Sequence, residues 1–252
     1  MLEEMKNRRT IRQYQEKMIS EEKLTNLLKI ACRASTMGNM QLYSIVVTRD
    51  AEMKEKLAPA HFNQPMVRTA PVVLTFCADF NRAVKWCEQR EADHGYDNFQ
   101  SFIAAATDAL LVAQSFCNAA EAAGLGICYL GTTTYNAQPI IDTLRLPELV
   151  VPVTTVTVGY PAESPEQVER LPLTGVVHYE SYEPNTRARI DCVYTEKENL
   201  AANIRFVEEN NKKTLAQVFT DVRYTRKNNE FFSDAFLKVL ENQGFLKGKL
   251  NF

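Results

Sequence analysis

The spacing of apolar positions changes several times along the chain, and each change predicts an element. Leu24, Leu27, Leu28 and Ala31 follow helical spacing behind a capped start at Ser20, Glu22 and Lys23, so residues 20–34 predict a helix. Ser44–Thr48 (SIVVT) is a β-branched run that predicts a strand, and the charged stretch Ala51–Leu57 suits a short helix. Pro71–Ala78 (PVVLTFCA) is apolar throughout, the pattern of a strand covered on both faces. Phe99–Ala123 contains no Gly or Pro, and as a helix it would run ~37 Å at 1.5 Å per residue, with Gly124 where a left-handed cap belongs. Its small side chains occur on nearly every face, which predicts a helix enclosed by other elements. Ile127–Leu130 predicts a strand, Gln138–Leu144 a helix, and Val150–Gly159 (VVPVTTVTVG) the richest strand, followed by the loop YPAESPEQVERLP. Beyond Val176 the pattern loosens, with helices expected over 197–217 and over Ser233–Gln243 ahead of Gly244.

Strands alternating with helices indicate α/β or α+β architecture, a central sheet covered by helices. There is no internal repeat or Gly/Ser linker. The 252 residues therefore read as a single domain, 1–252, whose last third, 176–252, is an extension wrapped on the core.

Composition adds exclusions. With 45% hydrophobic and 24% charged residues the chain is of ordinary globular type, and a net charge of -2 gives no bulk attraction to nucleic acid or an anionic membrane. Any anion site must be local. The six cysteines form no CxxC pair and several lie in apolar runs, which predicts reduced thiols and a cytoplasmic protein. The charged opening MLEEMKNRRT is unlike a signal peptide, and no uninterrupted apolar run reaches the ~20 residues of a membrane span.

Several groups of residues are candidates for chemistry. Arg8, Arg9, Thr10 and Arg12 gather three guanidiniums and a hydroxyl within five positions, a set suited to phosphate oxygens but also to a solvated basic arm. Arg170 follows the last strand, where ligands gather in α/β folds, though a lone loop arginine is commonly just solvated. Gly124, Gly126 and Gly131 do not make a dinucleotide fingerprint, because they follow a helix and precede a strand. Gly131, at a strand end, could let a ligand approach the backbone. The segment Ser35-Thr36-Met37-Gly38-Asn39-Met40-Gln41 is a polar helix-to-strand loop. His61, His94 and His178 lack metal-ligand spacing, and there is neither an HExxH motif nor a GxSxG elbow, so no metal is expected.

Taken together these pieces resemble the nitroreductase family, in its NADPH-nitroreductase and flavin-reductase branch. The resemblance covers nearly the whole chain. It rests chiefly on RRTIRQY (Arg8–Tyr14), similar to an R/H-R-S-x-R-x-F/Y opening, and on ASTMGNMQLYS (Ala34–Ser44), similar to an A-x-S-x-x-N-x-Q loop. FCADFNR (Phe76–Arg82), GLGICYLGT (Gly124–Thr132), VGYPAESPEQVERLP (Val158–Pro172) and FTDVRYTRKNNEFFS (Phe219–Ser233) support it in order and spacing.

The resemblance implies an α+β, nitroreductase-like fold with a central, mostly antiparallel sheet, a long central helix and a C-terminal extension. It also implies a homodimer with FMN at the interface. Arg8, Arg9, Thr10 and Arg170 would meet the phosphate, and Arg12 would stand near flavin N1 and O2. Ser35, Thr36 and Met37, in a loop that includes Asn39, would come from the partner subunit. Gln64 would meet the isoalloxazine or ribityl edge, and the backbone of Gly131 and Thr132, following Tyr129, would face N5.

The implied activity passes two electrons from NADPH or NADH to nitroaromatic, quinone or flavin acceptors by a ping-pong cycle through one cavity, with no catalytic side chain. Rival readings are a reductase whose main acceptor is free flavin or a disulfide, a non-catalytic flavin-binding or redox-sensing protein, and a nucleic-acid binder. Two departures stand out. Val168 replaces a lysine found in relatives, and Thr36-Met37-Gly38 replaces a serine-rich loop. Arg223, Arg226 and Lys227 are either a site for a nicotinamide phosphate or a solvated basic loop.

Overall fold

The computed structural model describes residues 2–247. Its chain divides into two compact units, 1–166 with 232–252, and 167–231.

The first unit holds an antiparallel sheet in the order β1-β2-β4-β3, formed by Tyr43–Thr48 (β1), Val72–Asp79 (β2), Gly126–Leu130 (β3) and Val150–Gly159 (β4). The architecture is the expected α+β one, a central antiparallel sheet covered by helices. β2 is buried at every residue, as its unbroken apolar run requires. Its register against β4 slips between Phe76 and Cys77, a bulge at mid-strand. A long helix, α6 (Phe99–Ala122), lies on one face of the sheet beside α2 (Glu21–Ala31), where Phe116, Val112 and Ala109 meet Leu74, Phe76 and Leu27. On the other face, α3 (Ala51–Leu57), α4 (Pro65–Thr69) and α7 (Ala137–Leu144) bring Leu57, Val67 and Ile140 onto Cys128 and Leu130. Ser20 caps α2 by accepting from the Lys23 amide, Asp50 does the same for α3, and Gly124 takes φ +76 just beyond α6.

α6 departs from the enclosed helix that its composition predicts. Phe99, Ile103, Leu110 and Leu111 remain 41–48% exposed along one face. It is also long and apolar enough to cross a membrane by length and composition alone, and half of its most apolar window is buried in the core.

The unit closes with the part of α11 (Arg226–Asn242) from Phe232 onward, a helix that begins seven residues before the expected Ser233. Val239, Leu240 and Phe245 complete an apolar cluster with Phe80, Phe102 and Val151. The Gln243 amide donates to the carbonyls of Pro147 (3.0 Å) and Val150 (2.6 Å), and the Gln243 carbonyl accepts from the Leu149 amide at 2.8 Å.

The second unit is helical: α8 (Arg187–Glu198), α9 (Ala201–Glu209) and α10 (Leu215–Val218). The single helix expected over 197–217 is broken twice, at Asn199-Leu200 and at Asn210-Asn211, where Asn211 adopts φ +52. Thr186 opens α8 by accepting from the Arg189 amide at 3.3 Å, a cap that the loose apolar pattern concealed. The short helices Leu2–Lys6, Pro65–Thr69 and Asn81–Glu88 also carry too few periodic positions to show in sequence.

Candidate functional site

β3 organises the candidate residues of the first unit. The N-terminal segment runs beside it in parallel, with Thr10 bridged to Ile127 and the Ile11 amide donating to the Ile127 carbonyl at 3.0 Å. This close approach requires glycine at 126, because a Cβ there would sit 2.6 Å from Ile11 Cβ. Tyr14 anchors the far end of the segment, its hydroxyl donating to the Ile11 carbonyl at 2.8 Å and meeting Thr157 Oγ1 at 2.7 Å. Arg8, Arg9, Thr10 and Arg12 are thereby held along the sheet edge rather than on a free arm.

Around the start of β3 a hollow of about 310 Å³ is lined by Arg8, Arg9, Glu4, Glu121, Glu163 and Ser164, among others. Its charge is mixed. Arg8 Nε lies 3.4 Å from Glu121 Oε1, and Glu121 Oε2 is buried without a hydrogen-bond partner among the described residues. Burial raises the Glu121 carboxyl above its usual range, and the Arg8 guanidinium opposes that rise. Glu163 accepts from the amides of Arg12 (2.6 Å) and Gln13 (3.0 Å), fixing the turn that presents Arg12. Arg9 Nη1 donates to Ser164 Oγ at 3.0 Å. Among the described residues neither Arg9 nor Arg12 forms an ion pair. Arg12 and Arg8 both act on Cys128 inside β3: burial pushes that thiol up and the two guanidiniums restrain it.

At the other end of β3 charge gives way to uncharged polar groups. Gly131 is exposed, and a Cβ built there would meet nothing within 4 Å. Thr132 Oγ1 lies 2.9 Å from Nδ1 of the fully buried His61. Gln64 follows Phe62 and Asn63, both left-handed at φ +53 and +54, and its side-chain amide makes no hydrogen bond among the described residues. Tyr129, half-buried on β3, reaches Gln114 Oε1 at 3.4 Å.

The loop carrying Ser35, Thr36, Met37 and Asn39 is pinned by a buried carboxylate of the long helix. Asp108 of α6, 1% exposed, accepts from the amides of Met37 (2.8 Å) and Leu42 (3.1 Å). Gly38, Asn39 and Gln41 adopt positive φ between these two anchors, and Ser35, Met37 and Asn39 are left exposed. Asp108, His61, Glu121 and Glu163 are the site groups that sequence did not single out. Only Asp108 carried a sign, a carboxylate amid alanines.

Arg170 belongs to the second unit, where Nη1 donates to the carbonyls of Val168 (3.2 Å) and Glu169 (2.9 Å). Of the basic segment, Arg223 lies over the Phe206 ring at 4.5 Å and Arg226 pairs with Glu230 at 3.6 Å.

Comparison with known proteins places this arrangement. The chain is 34% identical over 187 residues to the FMN reductase (NADPH) of Bacillus subtilis strain 168, covering 73% of this chain and 75% of that one. A Bacteroides fragilis NCTC 9343 structure, described in general terms as an oxidoreductase, is 65% identical with a TM-score of 0.96, over 97% of this chain and 100% of that one. The NfrA1 nitroreductase of B. subtilis is 28% identical with a TM-score of 0.85, over 98% and 99%. The model of the nitroreductase family matches residues 5–160, which contain the whole sheet and both ends of β3. The chain belongs to the nitroreductase family.

Proposed function

We propose that this protein is an FMN-dependent oxidoreductase that passes two electrons from NAD(P)H to small acceptors. The relatives named as NADPH- or NAD(P)H-dependent FMN reductases and as an oxygen-insensitive NADPH nitroreductase support the enzyme class and the cofactor. When bound, FMN supplies the electron-transfer chemistry, so the chain needs to position it rather than provide an acid or base.

One observation carries the reading: the order of polar groups along β3. Arg8 and Arg9 line the hollow at its start, Arg12 follows beside the strand, neither Arg9 nor Arg12 has an ion pair among the described residues, and the open backbone at Gly131 lies at its end. A phosphate-tailed planar cofactor needs cations at one end and close backbone approach at the other. Arg8, Arg9 and Thr10 would hold the phosphate. Arg12 would stand by the pyrimidine edge, Gln64 by the ring or ribityl edge, and Tyr129, Gly131 and Thr132 along the remaining edge. A guanidinium fixed near N1 and O2 favours the electron-rich ring.

A homodimer belongs to the same proposal. The apolar stripe Phe99, Ile103, Leu110 and Leu111 is a surface that a second copy would cover. The exposed Ser35, Met37 and Asn39 of one protomer, with the half-buried Thr36, would then serve the cofactor of the other. Acceptors are nitroaromatics, quinones or free flavin, taken in turn with the nicotinamide in one cavity by a ping-pong cycle. A cytoplasmic setting is supported by six unpaired cysteines, three of them buried.

Purified protein titrated with FMN should turn yellow and bleach anaerobically on adding NADPH or NADH. Bound flavin that neither donor bleaches would favour the non-catalytic binding protein instead, and absence of FMN uptake would end both readings.

A further inference from the structure

His61 closes the turn Ala58–His61 between α3 and α4, with no exposed surface. Burial lowers its pKa from the ordinary histidine value to about 4, so the ring is neutral at pH 7 and carries a single N–H. Its two nitrogens have unequal surroundings. Nδ1 lies 2.9 Å from Thr132 Oγ1, whereas Nε2 is buried with no hydrogen-bond partner among the described residues.

The two tautomers therefore differ in what they strand. A proton on Nε2 would bury an orphan N–H and would make Nδ1 consume the only proton of the Thr132 hydroxyl. A proton on Nδ1 donates to Thr132 Oγ1 and strands only a lone pair, and unsatisfied acceptors are better tolerated in protein interiors than orphaned N–H groups. The neighbouring hydroxyl shows the contrast: Thr133 donates to the Leu130 carbonyl at 2.9 Å and meets Thr155 Oγ1 at 3.0 Å. Among the described residues no protein acceptor takes the Thr132 proton.

We infer that His61 is a positioning residue, a buried Nδ1–H imidazole that turns the half-buried Thr132 hydroxyl into a fixed donor beside the opening at Gly131. Resting on the FMN reading, this donor serves an electron-rich heteroatom of the bound ring and favours the ring when it carries negative charge. A hydroxyl normally rotates to suit any partner, and here a side chain from the opposite element fixes its role.

Histidine-selective ¹⁵N NMR of the FMN-loaded protein, assigned by loss of signal in His61→Asn, tests the tautomer directly. The expected spectrum has a protonated Nδ1 and a bare Nε2 for His61, and the reverse assignment overturns the inference. FMN titration and potentiometry of Thr132→Val and Thr132→Ser give a second readout at a position that is not fully buried. Thr132→Val should weaken FMN binding about fivefold, the scale of one hydrogen bond, and make the bound flavin harder to reduce. Thr132→Ser should match the parent. His61→Leu should copy Thr132→Val while His61→Asn recovers most of the loss. A Thr132→Val protein with parental affinity and potential also overturns the inference. Wild-type protein that takes up no FMN would defeat the cofactor reading alone, because the imidazole signals of that same sample still report the tautomer.

Discussion

The two ends of β3 solve the problem of placing polar groups by opposite means. At its start, guanidiniums and carboxylates share an open hollow, where solvent and mutual pairing dilute each charge: Arg8 faces Glu121, and Glu163 is occupied by two amides. At its end a single imidazole is kept dry and neutral and acts through one hydrogen bond. The difference teaches that the charged end can be tuned by small charge changes at little cost to folding. The uncharged end couples its polar group directly to stability.

The largest effect that sharpens this contrast is expected on acidification. Unfolded His61 gains its proton near pH 6.5, whereas folded His61 resists until about pH 4. Its contribution to stability is therefore fully present above about 6.5 and lost as pH falls toward 4, by about 3 kcal/mol in all. Thermal unfolding between pH 7 and pH 4.5 should show a steeper loss in the parent than in His61→Asn, and parallel curves would refute it. Next in size, Gly126→Ala drives a methyl into Ile11 and should cost about 2 kcal/mol, within the range for overpacking. It should also loosen the arginine segment, visible as faster amide exchange at Ile11 and weaker FMN retention.

Arg12→Ala should leave unfolding unchanged, weaken FMN binding about tenfold, as loss of one charge-assisted contact does, and lower the potential of the bound flavin. Unaltered stoichiometry and potential would remove Arg12 from the site. The smallest effect is expected from Glu121→Gln, which frees Arg8 from its carboxylate and should tighten FMN binding by about threefold, on the scale of a partly exposed ion pair. Weaker binding in that variant would mean that Glu121 orients Arg8 instead of competing for it.

Much of the first unit was legible in sequence because its elements are defined by burial. β2 shows as an unbroken apolar run because both faces are covered, and α3 shows as a charged heptapeptide behind Asp50. In the second unit α8 buries only Val193 and α9 buries nothing, so their apolar positions lack a period to read. At the site, sequence could locate the arginines because charge clusters in a weakly acidic chain are visible locally. It could not reveal that Glu121, more than a hundred positions away, faces Arg8, or that Asp108 holds both ends of the 37–42 loop. Such pairings exist only after α6 is laid on the sheet. His61 was noticed solely for lacking metal-ligand spacing, since its solitude in sequence hides a partner 71 residues on.

The clasp formed by Gln243 and Phe245 sets an order of events during synthesis. The sheet and α6 are complete in the nascent chain by Gly159, yet Phe102 gains Phe236 and Phe245 only when residues 232–247 leave the ribosome. At ~5–20 residues per second the helical insert from Gln167 to Phe231 emerges during that wait. A message truncated just before Phe232 would thus release a chain with an unsealed aromatic pocket, a substrate for chaperones and proteases rather than a smaller enzyme.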